Sequence, residues 1–268
     1  MVPSKALSGA ALQAGERSLL SLGAPDAALQ GGLGLGELHE LAPVAPFHSG
    51  AASGFALALA TLVPRDGPVI WVQQDFAAFE TGTLYGLGCD LFGLASSRLL
   101  AVRTATPRDT LWAMEEALKT RGMAAVIGEL AQDGLAADLT ATRRLSLAAQ
   151  QGGGLCLLLR QRAFPQPDAA ATRWVIAATP GATDAFGGLA RTAWRLSLTK
   201  NRRGPCGSWV LQWDHHGKRF LPALSVLNCL SVSVRSVLKS SCLALTQEIE
   251  LAFKVSKRIY VFGPRAVY

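Results

Sequence analysis

Short apolar runs alternate with helix-like segments through the first 160 residues, and this alternation constrains the fold more than any other feature of the sequence. Short continuous apolar runs are typical of strands that are buried on both faces. They predict strands at residues 37–41, 68–72, 99–103, 124–130 and 155–159. Strands separated by helices run parallel, because each helix carries the chain back across the sheet. The sequence therefore predicts an α/β fold with a mostly parallel central sheet flanked by helices.

Two of the intervening helices carry signals at both ends. The first follows Thr106, whose hydroxyl can cap a helix, and starts at Pro107, a residue that favours the first helical position. An apolar stripe with helical spacing follows, and we expect this helix to end at Gly122. The second spans residues 139–151 and is stopped by glycines at 152–154. Both helices are amphipathic, so each should cover a face of the sheet.

The pattern changes after residue 170. Further strands at residues 173–178, 192–198 and 208–213 follow one another without helices between them, and residues 200–205 have the composition of a hairpin connection. Strands joined in this way pair antiparallel. We expect the tryptophans of these strands to pack in the core: Trp174, Trp194, Trp209 and Trp213. The predicted sheet thus gains an antiparallel C-terminal extension.

Length and composition fit one domain with short appendages. The chain has 268 residues, 50% of them hydrophobic, which suffices to bury a sizeable core. We assign residues 19–220 to this domain and residues 1–18 to an N-terminal segment. Residues 221–268 differ in composition, and we interpret them as an atypical, poorly ordered tail, although they contain more valine and leucine than disordered segments usually do. Because the sequence shows neither a leader nor an apolar run long enough to span a membrane, we expect a cytoplasmic protein without a membrane partner.

Residues that commonly bind metals are not grouped as in a metal site. The 5 cysteines are scattered without a C-x-x-C pair, so we expect small buried side chains instead of a zinc site or disulfides. Residues 214–217 have the sequence Asp-His-His-Gly. Adjacent strand residues face opposite ways, so this cluster indicates a polar turn. We predict no metal site.

Positive charge is concentrated in one part of the chain. The net charge is −4 over residues 1–159, +7 over residues 160–219 and +4 over residues 220–268. The basic residues of the middle segment are Arg160, Arg162, Arg173, Arg191, Arg195, Lys200, Arg202, Arg203, Lys218 and Arg219. Such a concentration favours contact with nucleic acid or an acidic partner. The alternative is a solvated sheet edge, where basic residues prevent unwanted strand pairing.

Residues 37–62 have the frame of a phosphate-binding loop, with a strand, a glycine-bearing loop and an apolar helix. The loop positions are Ser49, Gly50, Ser53, Gly54, Phe55 and Ala56. Phe55 stands where a lysine would neutralise phosphate, and Ala56 stands where a hydroxyl would hold Mg²⁺. We therefore interpret the loop as degenerate and expect neither ATP hydrolysis nor a bound cofactor. Weak binding of ATP and Mg²⁺ stays open, because backbone N–H groups at a helix N-terminus can still bind an anion.

Four charged residues outside this loop have alternative interpretations. Glu129 is either a metal-side carboxylate or, as we favour, a polar residue that ends a buried strand. Asp75 follows the second strand, where a carboxylate could position a water molecule for attack on phosphate. Arg143 and Arg144 lie on a predicted helix, where they either contact a partner or DNA or form part of a solvated face.

Several segments together resemble the RecA-like family of recombinases and their relatives. Residues 20–41 are similar to the family's approach to its phosphate loop, residues 125–130 to its Walker B strand, and residues 200–204 to its K-N-R turn. The resemblance covers residues 19–220. Within that family the sequence is most similar to the SulA-like ImuA family. The blocks that carry this likeness are residues 111–118, 138–145, 170–174 and 207–209.

The resemblance implies a non-polymerase accessory protein of SOS-induced translesion DNA synthesis, and the degenerate loop makes a non-catalytic adaptor the favoured function. It implies an ImuB-type Y-family-like protein and an error-prone replicative-type DNA polymerase as partners, with single-stranded DNA as a further candidate. It also makes Glu129 a Walker-B-like residue and adds Lys200, Arg202 and Arg203 to the candidate partner or DNA contacts. Two alternatives stay open: a DNA-dependent ATPase of the RecA family, and a SulA-like cell-division inhibitor.

Overall fold

A mixed sheet runs through the part of the chain that the computed structural model describes, which comprises residues 18–131, 137–162, 167–181 and 191–223. Most of the predicted N-terminal segment and of the predicted tail lies outside these residues, so both assignments stay predictions.

The strands and helices follow one another in the predicted rhythm. The strands are β1 (Leu19–Leu20), β2 (Leu33–Gly34), β3 (Leu38–Pro43), β4 (Val69–Gln74), β5 (Leu99–Thr104), β6 (Ala125–Leu130), β7 (Leu155–Arg160), β8 (Thr172–Thr179), β9 (Ala193–Asn201), β10 (Gly207–Asp214) and β11 (Arg219–Pro222). The helices are α1 (Ser49–Leu62), α2 (Asp75–Thr81), α3 (Gly86–Phe92), α4 (Pro107–Lys119) and α5 (Leu139–Gly152). Short 3-10 turns span Ala24–Ala27, Pro46–His48 and Ser96–Arg98.

The described residues form a nine-stranded sheet in the order β11-β10-β9-β8-β3-β7-β6-β4-β5. The strands from β8 to β5 pair parallel, and those from β8 to β11 pair antiparallel. β1 and β2 form a separate antiparallel pair. The predicted fold class, including the antiparallel C-terminal extension, is therefore confirmed.

The predicted start of α4 is confirmed, and its predicted end is wrong. Thr106 caps the helix, since its Oγ accepts a hydrogen bond from the backbone N–H of Asp109 at 3.2 Å, and Pro107 takes the first helical position. The helix stops at Lys119, earlier than the predicted Gly122, because Thr120 already has extended dihedrals. Gly122 instead supplies a left-handed turn with φ 91° before β6.

The two faces of the sheet carry two separate apolar cores. α1 covers one face, where Leu41, Ile127 and Leu157 are buried. α4 and α5 cover the other, where Val126 and Leu158 are buried. The alternation follows from strand geometry, since successive side chains point to opposite faces.

The tryptophan prediction holds for three of the four residues, and the cysteine prediction needs one correction. Trp174, Trp194 and Trp213 are fully buried, whereas Trp209 is partly exposed and packs against the α1-side core. Cys89 and Cys156 are buried as expected, but Cys206 is exposed because it lies in the β9–β10 connection. Cys229 and Cys242 lie outside the described residues.

A buried histidine connects the β1–β2 pair to the main sheet. The ring of His39 lies 2.8 Å from the Gly34 carbonyl through Nε2 and 2.8 Å from Thr172 Oγ through Nδ1. A carbonyl only accepts, so Nε2 carries the proton and Nδ1 accepts from the threonine hydroxyl. Thr172 in turn accepts from the Trp174 indole at 2.9 Å. Burial lowers the pKa of His39 to about 4, so the ring is neutral in the folded protein.

Two further observations complete the fold. His215 and His216 lie in the turn between β10 and β11, as the polar-turn interpretation predicted. None of the helices in the described ranges is long and apolar enough to cross a membrane.

Candidate functional site

The segment predicted as a phosphate-binding loop, residues 49–56, forms the first two turns of α1. The chain leaves β3 at Pro43, makes a 3-10 turn over Pro46–His48 and becomes helical at Ser49. This corrects the prediction of a glycine-bearing loop at these positions. Alanines in the segment favour a helix, and Gly50 and Gly54 are not among the residues with positive φ that a phosphate loop commonly needs.

Phe55, in the position of the missing lysine, belongs to the core. Its side chain is fully buried, and its ring centroid lies 5.7 Å from that of Trp194, 5.5 Å from that of Phe220 and 6.2 Å from that of Trp174. Separations in this range are favourable for aromatic pairs. Ala56 is also fully buried. Both residues therefore hold α1 against the sheet.

Small polar residues of α1 line a hollow at the carboxyl ends of β4 and β6. The hollow has a volume of about 110 Å³ and is lined by Gly50, Ser53, Trp71, Gln73, Thr81, Gly82, Thr83, Leu84 and Glu129. A neighbouring space of about 20 Å³ reaches Ser49 and Arg160. Pockets for small-molecule ligands usually measure about 300 to 1,000 Å³. The hollow in this conformation is therefore too small for a nucleotide.

The carboxylate of Glu129 is held by three side chains. Trp71 Nε1 and Gln73 Nε2 donate hydrogen bonds to Oε2 at 3.1 and 3.0 Å, and Thr81 Oγ lies 3.0 Å from Oε1. The residue is 8% exposed. These contacts link the end of β6 to β4 and α2. They support the interpretation of Glu129 as a polar residue ending a buried strand, while its Walker-B-like role stays a prediction.

Asp75 begins α2 and pairs with a basic residue of the edge strand. Its Oδ1 lies 2.8 Å from Arg103 Nη2, and both side chains are about half exposed. This carboxylate thus has a local partner on β5.

The basic residues between 160 and 219 do not form one exposed surface. Arg160 is 6% exposed, and the side chain of Arg173 is 13% exposed. Among the candidate partner contacts, Lys200 Nζ lies 2.5 Å from an oxygen of Asp168, and the Arg203 side chain is 10% exposed. Arg202 alone of the three K-N-R turn cations is exposed. Four of the ten cations of this segment are therefore buried or partly buried, and the other six are exposed: Arg162, Arg191, Arg195, Arg202, Lys218 and Arg219.

Arg160, Arg173 and Lys200 surround two buried carboxyl groups, Glu40 of β3 and Asp168 before β8, and we call these five residues the Glu40–Asp168 cluster. Glu40 Oε1 lies 3.1 Å from Arg160 Nε and 3.3 Å from Arg173 Nε. Asp168 pairs with Arg173 and Lys200. The cluster joins β3, β7, β8 and β9 at one point of the sheet.

The pKa values of the two carboxyl groups of the cluster are shifted in opposite directions. Burial raises the pKa of Glu40 to about 7, although Arg160 and Arg173 oppose this rise. Burial also acts to raise the pKa of Asp168, but hydrogen bonds with Glu40 and Lys200 outweigh it and lower that pKa to about 2. A proton shared by the pair therefore resides on Glu40, and the charge resides on Asp168.

Arg143 and Arg144 are both exposed on α5. Arg144 Nη2 lies 2.6 Å from Glu115 Oε2 on α4, so it bridges the two helices. Arg143 has no ion-pair partner among the residues that the structure describes. The two neighbouring arginines thus differ in how much of their charge is available to a partner.

Sequence reasoning missed the Glu40–Asp168 cluster. The sequence signals were Glu40 inside a strand predicted to be buried, and Arg160 directly after the apolar run of β7. A charge in such a place needs a buried partner. Nothing in the sequence paired the two residues, since Arg160 is distant from Glu40 along the chain.

Comparison with known proteins gives two relatives and no matching family model. The chain is 34% identical over 227 residues to a protein described as Protein ImuA from Caulobacter vibrioides strain NA1000, and equally to the same protein of strain CB 15. Each alignment covers 77% of this chain and 89% of the relative.

Proposed function

The chain belongs to the ImuA family, and from this membership we propose that it is a non-catalytic, RecA-like accessory protein of SOS-induced translesion DNA synthesis. In this proposal it acts in the cytoplasm as an adaptor. Its partners are an ImuB-type Y-family-like protein and an error-prone replicative-type DNA polymerase. Single-stranded DNA is a further candidate partner.

The burial of Phe55 carries the non-catalytic part of the proposal. Phosphoryl transfer depends on cations that neutralise charge developing on the phosphate. The side chain in the lysine position lies among Trp194, Phe220 and Trp174 and offers no charge. Repacking the core to admit a lysine there would expose these rings or bury an ammonium group.

The surroundings of Glu129 support the same proposal. Its carboxylate already accepts hydrogen bonds from Trp71 and Gln73 and lies beside Thr81, so binding a metal ion would require breaking contacts within the molecule. The adjoining hollow of about 110 Å³ holds water-sized groups. This geometry is better suited to a structural role than to nucleotide turnover.

A thermal-melt titration with ATP and Mg²⁺, with and without single-stranded DNA, tests the non-catalytic assignment. A ligand at one hundred times its Kd stabilises the folded state by roughly 2.7 kcal/mol. We expect no shift of Tm at millimolar ATP and no release of inorganic phosphate. An upward shift together with DNA-stimulated phosphate release would contradict the proposal and favour the DNA-dependent ATPase.

Co-expression tests the adaptor assignment. We expect the chain to co-purify with the ImuB-type protein of its own host, and damage-induced mutagenesis to fall when the chain is deleted. Overproduction should leave septation unaffected. Filamentation on overproduction without loss of mutagenesis in the deletion strain would instead favour the SulA-like division inhibitor.

A further inference from the structure

The antiparallel half of the sheet has an open face on the side where α4 and α5 cover the parallel strands. Trp174, Trp194 and Leu211 point to the α1-side core, so the side chains that alternate with them point to this opposite face. The register places these side chains in two rows across β8, β9 and β10: Ala177, Arg195 and Val210, then Val175, Ser197 and Ser208. We call these six residues the β9 face. Arg195 and Ser208 are exposed, and the other four are half-buried.

Exposed arginines lie before, within and after β9. Arg191 precedes the strand, Arg195 lies on the β9 face, and Arg202 follows the strand. The Arg202 side chain lies beside the Glu40–Asp168 cluster, since its Nη2 is 3.4 Å from the Asp168 carbonyl oxygen. β9 has 9 residues and spans about 30 Å at roughly 3.3 Å a residue. The three arginines therefore form a line along the strand.

The carboxylate of Asp214, near one end of this line, is already paired. Arg219 Nε lies 3.5 Å from Asp214 Oδ2. A hydrogen bond from the Gly217 N–H lowers the pKa of Asp214, and the charges of Arg191 and Arg219 lower it further. Two arginines thus share one carboxylate, which leaves a positive balance at this end.

The Glu40–Asp168 cluster adds no net negative charge at the other end. It lies on the side of the β9 face, because Arg173 alternates with Trp174 along β8 and is directly opposite Glu40. Its three cations outnumber its two carboxyl groups. In the middle, Arg195 makes no ion pair with any residue that the structure describes. The surface is therefore positive along its whole length, which favours a polyanion.

The side chains between the arginines favour phosphate over an acidic protein. None of the large apolar side chains found exposed in the described ranges belongs to β8–β11, and protein interfaces usually depend on such anchors. Arginine and serine are common donors to phosphate oxygens. Ser197 and Ser208 lie 3.0 Å apart through their hydroxyls, in the row next to Arg195.

The absence of aromatic rings favours a duplex over a single strand. Proteins that bind single-stranded DNA without sequence preference stack its bases on aromatic side chains. The six residues of the β9 face include no aromatic ring. The bases of a duplex are already stacked on one another, so phosphate contacts suffice to bind it.

We propose that the β9 face binds the phosphate backbone of duplex DNA through Arg191, Arg195 and Arg202. A line of about 30 Å is longer than the roughly 12 Å width of the major groove, so its ends can contact phosphates on both sides of a groove. Such contacts position a protein on DNA without reading its sequence. This inference rests on the proposed function, because it gives the adaptor a contact with the DNA that its polymerase partner copies.

Fluorescence anisotropy of the full-length chain, with a labelled duplex of several helical turns and with the matching single strand, tests the inference. We expect the duplex to bind more tightly than the single strand and with little dependence on sequence. The logarithm of the association constant should fall against the logarithm of the salt concentration with a slope of about −2.7 for three phosphate contacts. Arg195→Glu should weaken duplex binding at least about tenfold, and Arg195→Gln should reduce the size of the slope by about 0.9.

A matched control separates Arg195 from exposed charge elsewhere. Arg121→Glu reverses an exposed charge in the turn between α4 and β6, and it should bind DNA like the wild type. All three variants change exposed side chains, so all should melt like the wild type.

Four results would overturn the inference. These are absence of duplex binding by the wild type, equal duplex affinities for the wild type and both Arg195 variants, tighter binding of the single strand than of the duplex, and loss of the ImuB-type protein by Arg195→Glu when neither protein binds DNA. The last result would assign the β9 face to an acidic protein. Co-purification with the ImuB-type protein tests the adaptor proposal separately, so the two can fail independently.

Discussion

At the scale of single residues, Phe55 connects the sequence of the degenerate loop to the stability of the fold. Phe55→Ala should reduce the free energy of unfolding by about 3 to 5 kcal/mol, because it leaves a cavity beside Trp194 and Phe220. Phe55→Lys should cost at least as much, because it buries an ammonium group. Urea unfolding measures both, and we expect neither variant to gain ATPase activity.

Phe79→Ala provides the matched control for Phe55, since that ring is 85% exposed. Its free energy of unfolding should stay within about 0.5 kcal/mol of the wild type. A Phe55→Lys protein as stable as the wild type would show that the ring is not needed to hold α1 on the sheet.

The sequence was informative about Phe55 and uninformative about Glu40. The absence of a lysine can be seen from local spacing, because Phe55 lies on the first α-helix after β3 and close to that strand along the chain. The partner of Glu40 arises from the sheet order, which places β3 beside both β7 and β8. Local patterns do not contain that order, so the pairing with Arg160 and Arg173 could not be predicted.

At the scale of secondary-structure elements, α4 packs on β6 through a glycine. A Cβ atom added to Gly128 would lie 2.0 Å from the sulfur of Met114, which is fully buried. Gly128→Ala should therefore destabilise the protein by about 1 to 3 kcal/mol. We expect the Gly128→Ala/Met114→Ala double variant to lose less stability than the sum of the two single variants, because truncating Met114 makes room for the new methyl group. Denaturant unfolding of the four proteins completes the cycle, and strict additivity would contradict this packing.

The strands were predictable because of their composition, whereas the first turns of α1 and the short helices were not. Each predicted strand corresponds to an observed one, since the parallel strands are short apolar runs bounded by turns, and this includes β5, whose side chains are partly exposed at the sheet edge. The prediction of a loop at residues 49–56 was wrong because glycine and serine, which are common in loops, here belong to a helix. α2 and α3 span 7 residues each, which is too short for a helical period to be distinctive. β11 follows a tight turn, and its 4 residues carry no alternation.

At the scale of the whole molecule, His39 and Glu40 should give opposite contributions to the pH dependence of stability. The pKa of His39 falls from 6.5 to about 4 on folding. The contribution of its neutral ring to the free energy of unfolding is therefore complete above pH 6.5 and is lost as the pH falls from 6.5 to 4. For a fully buried ring this amounts to roughly 3 kcal/mol. The pKa of Glu40 rises to about 7, so stability grows as the pH falls from 7 to 4.5.

His39→Gln separates the two contributions. We expect the stability difference between the wild type and His39→Gln to shrink as the pH falls from 6.5 to 4, because only the wild type loses the histidine contribution. Urea unfolding at a series of pH values measures it. His216→Gln, on the exposed turn after β10, is the matched control and should follow the wild-type profile. A difference that stays constant over this range would contradict a neutral, buried His39.

The place of β3 in the sheet also sets an order of events during synthesis. β3 pairs with β7 and β8 and with neither of the strands that follow it directly. Leu155, the first residue of β7, comes 112 positions after Pro43, the last residue of β3. At ribosomal speeds of about 5 to 20 residues per second, β3 is synthesised roughly 6 to 22 s before its first sheet neighbour, β7. The strand carrying His39 and Glu40 thus leaves the ribosome before β4, β5 and β6 but gains its first sheet neighbour only after them, so nascent chains should expose it to chaperones for about half of the time needed to make the domain.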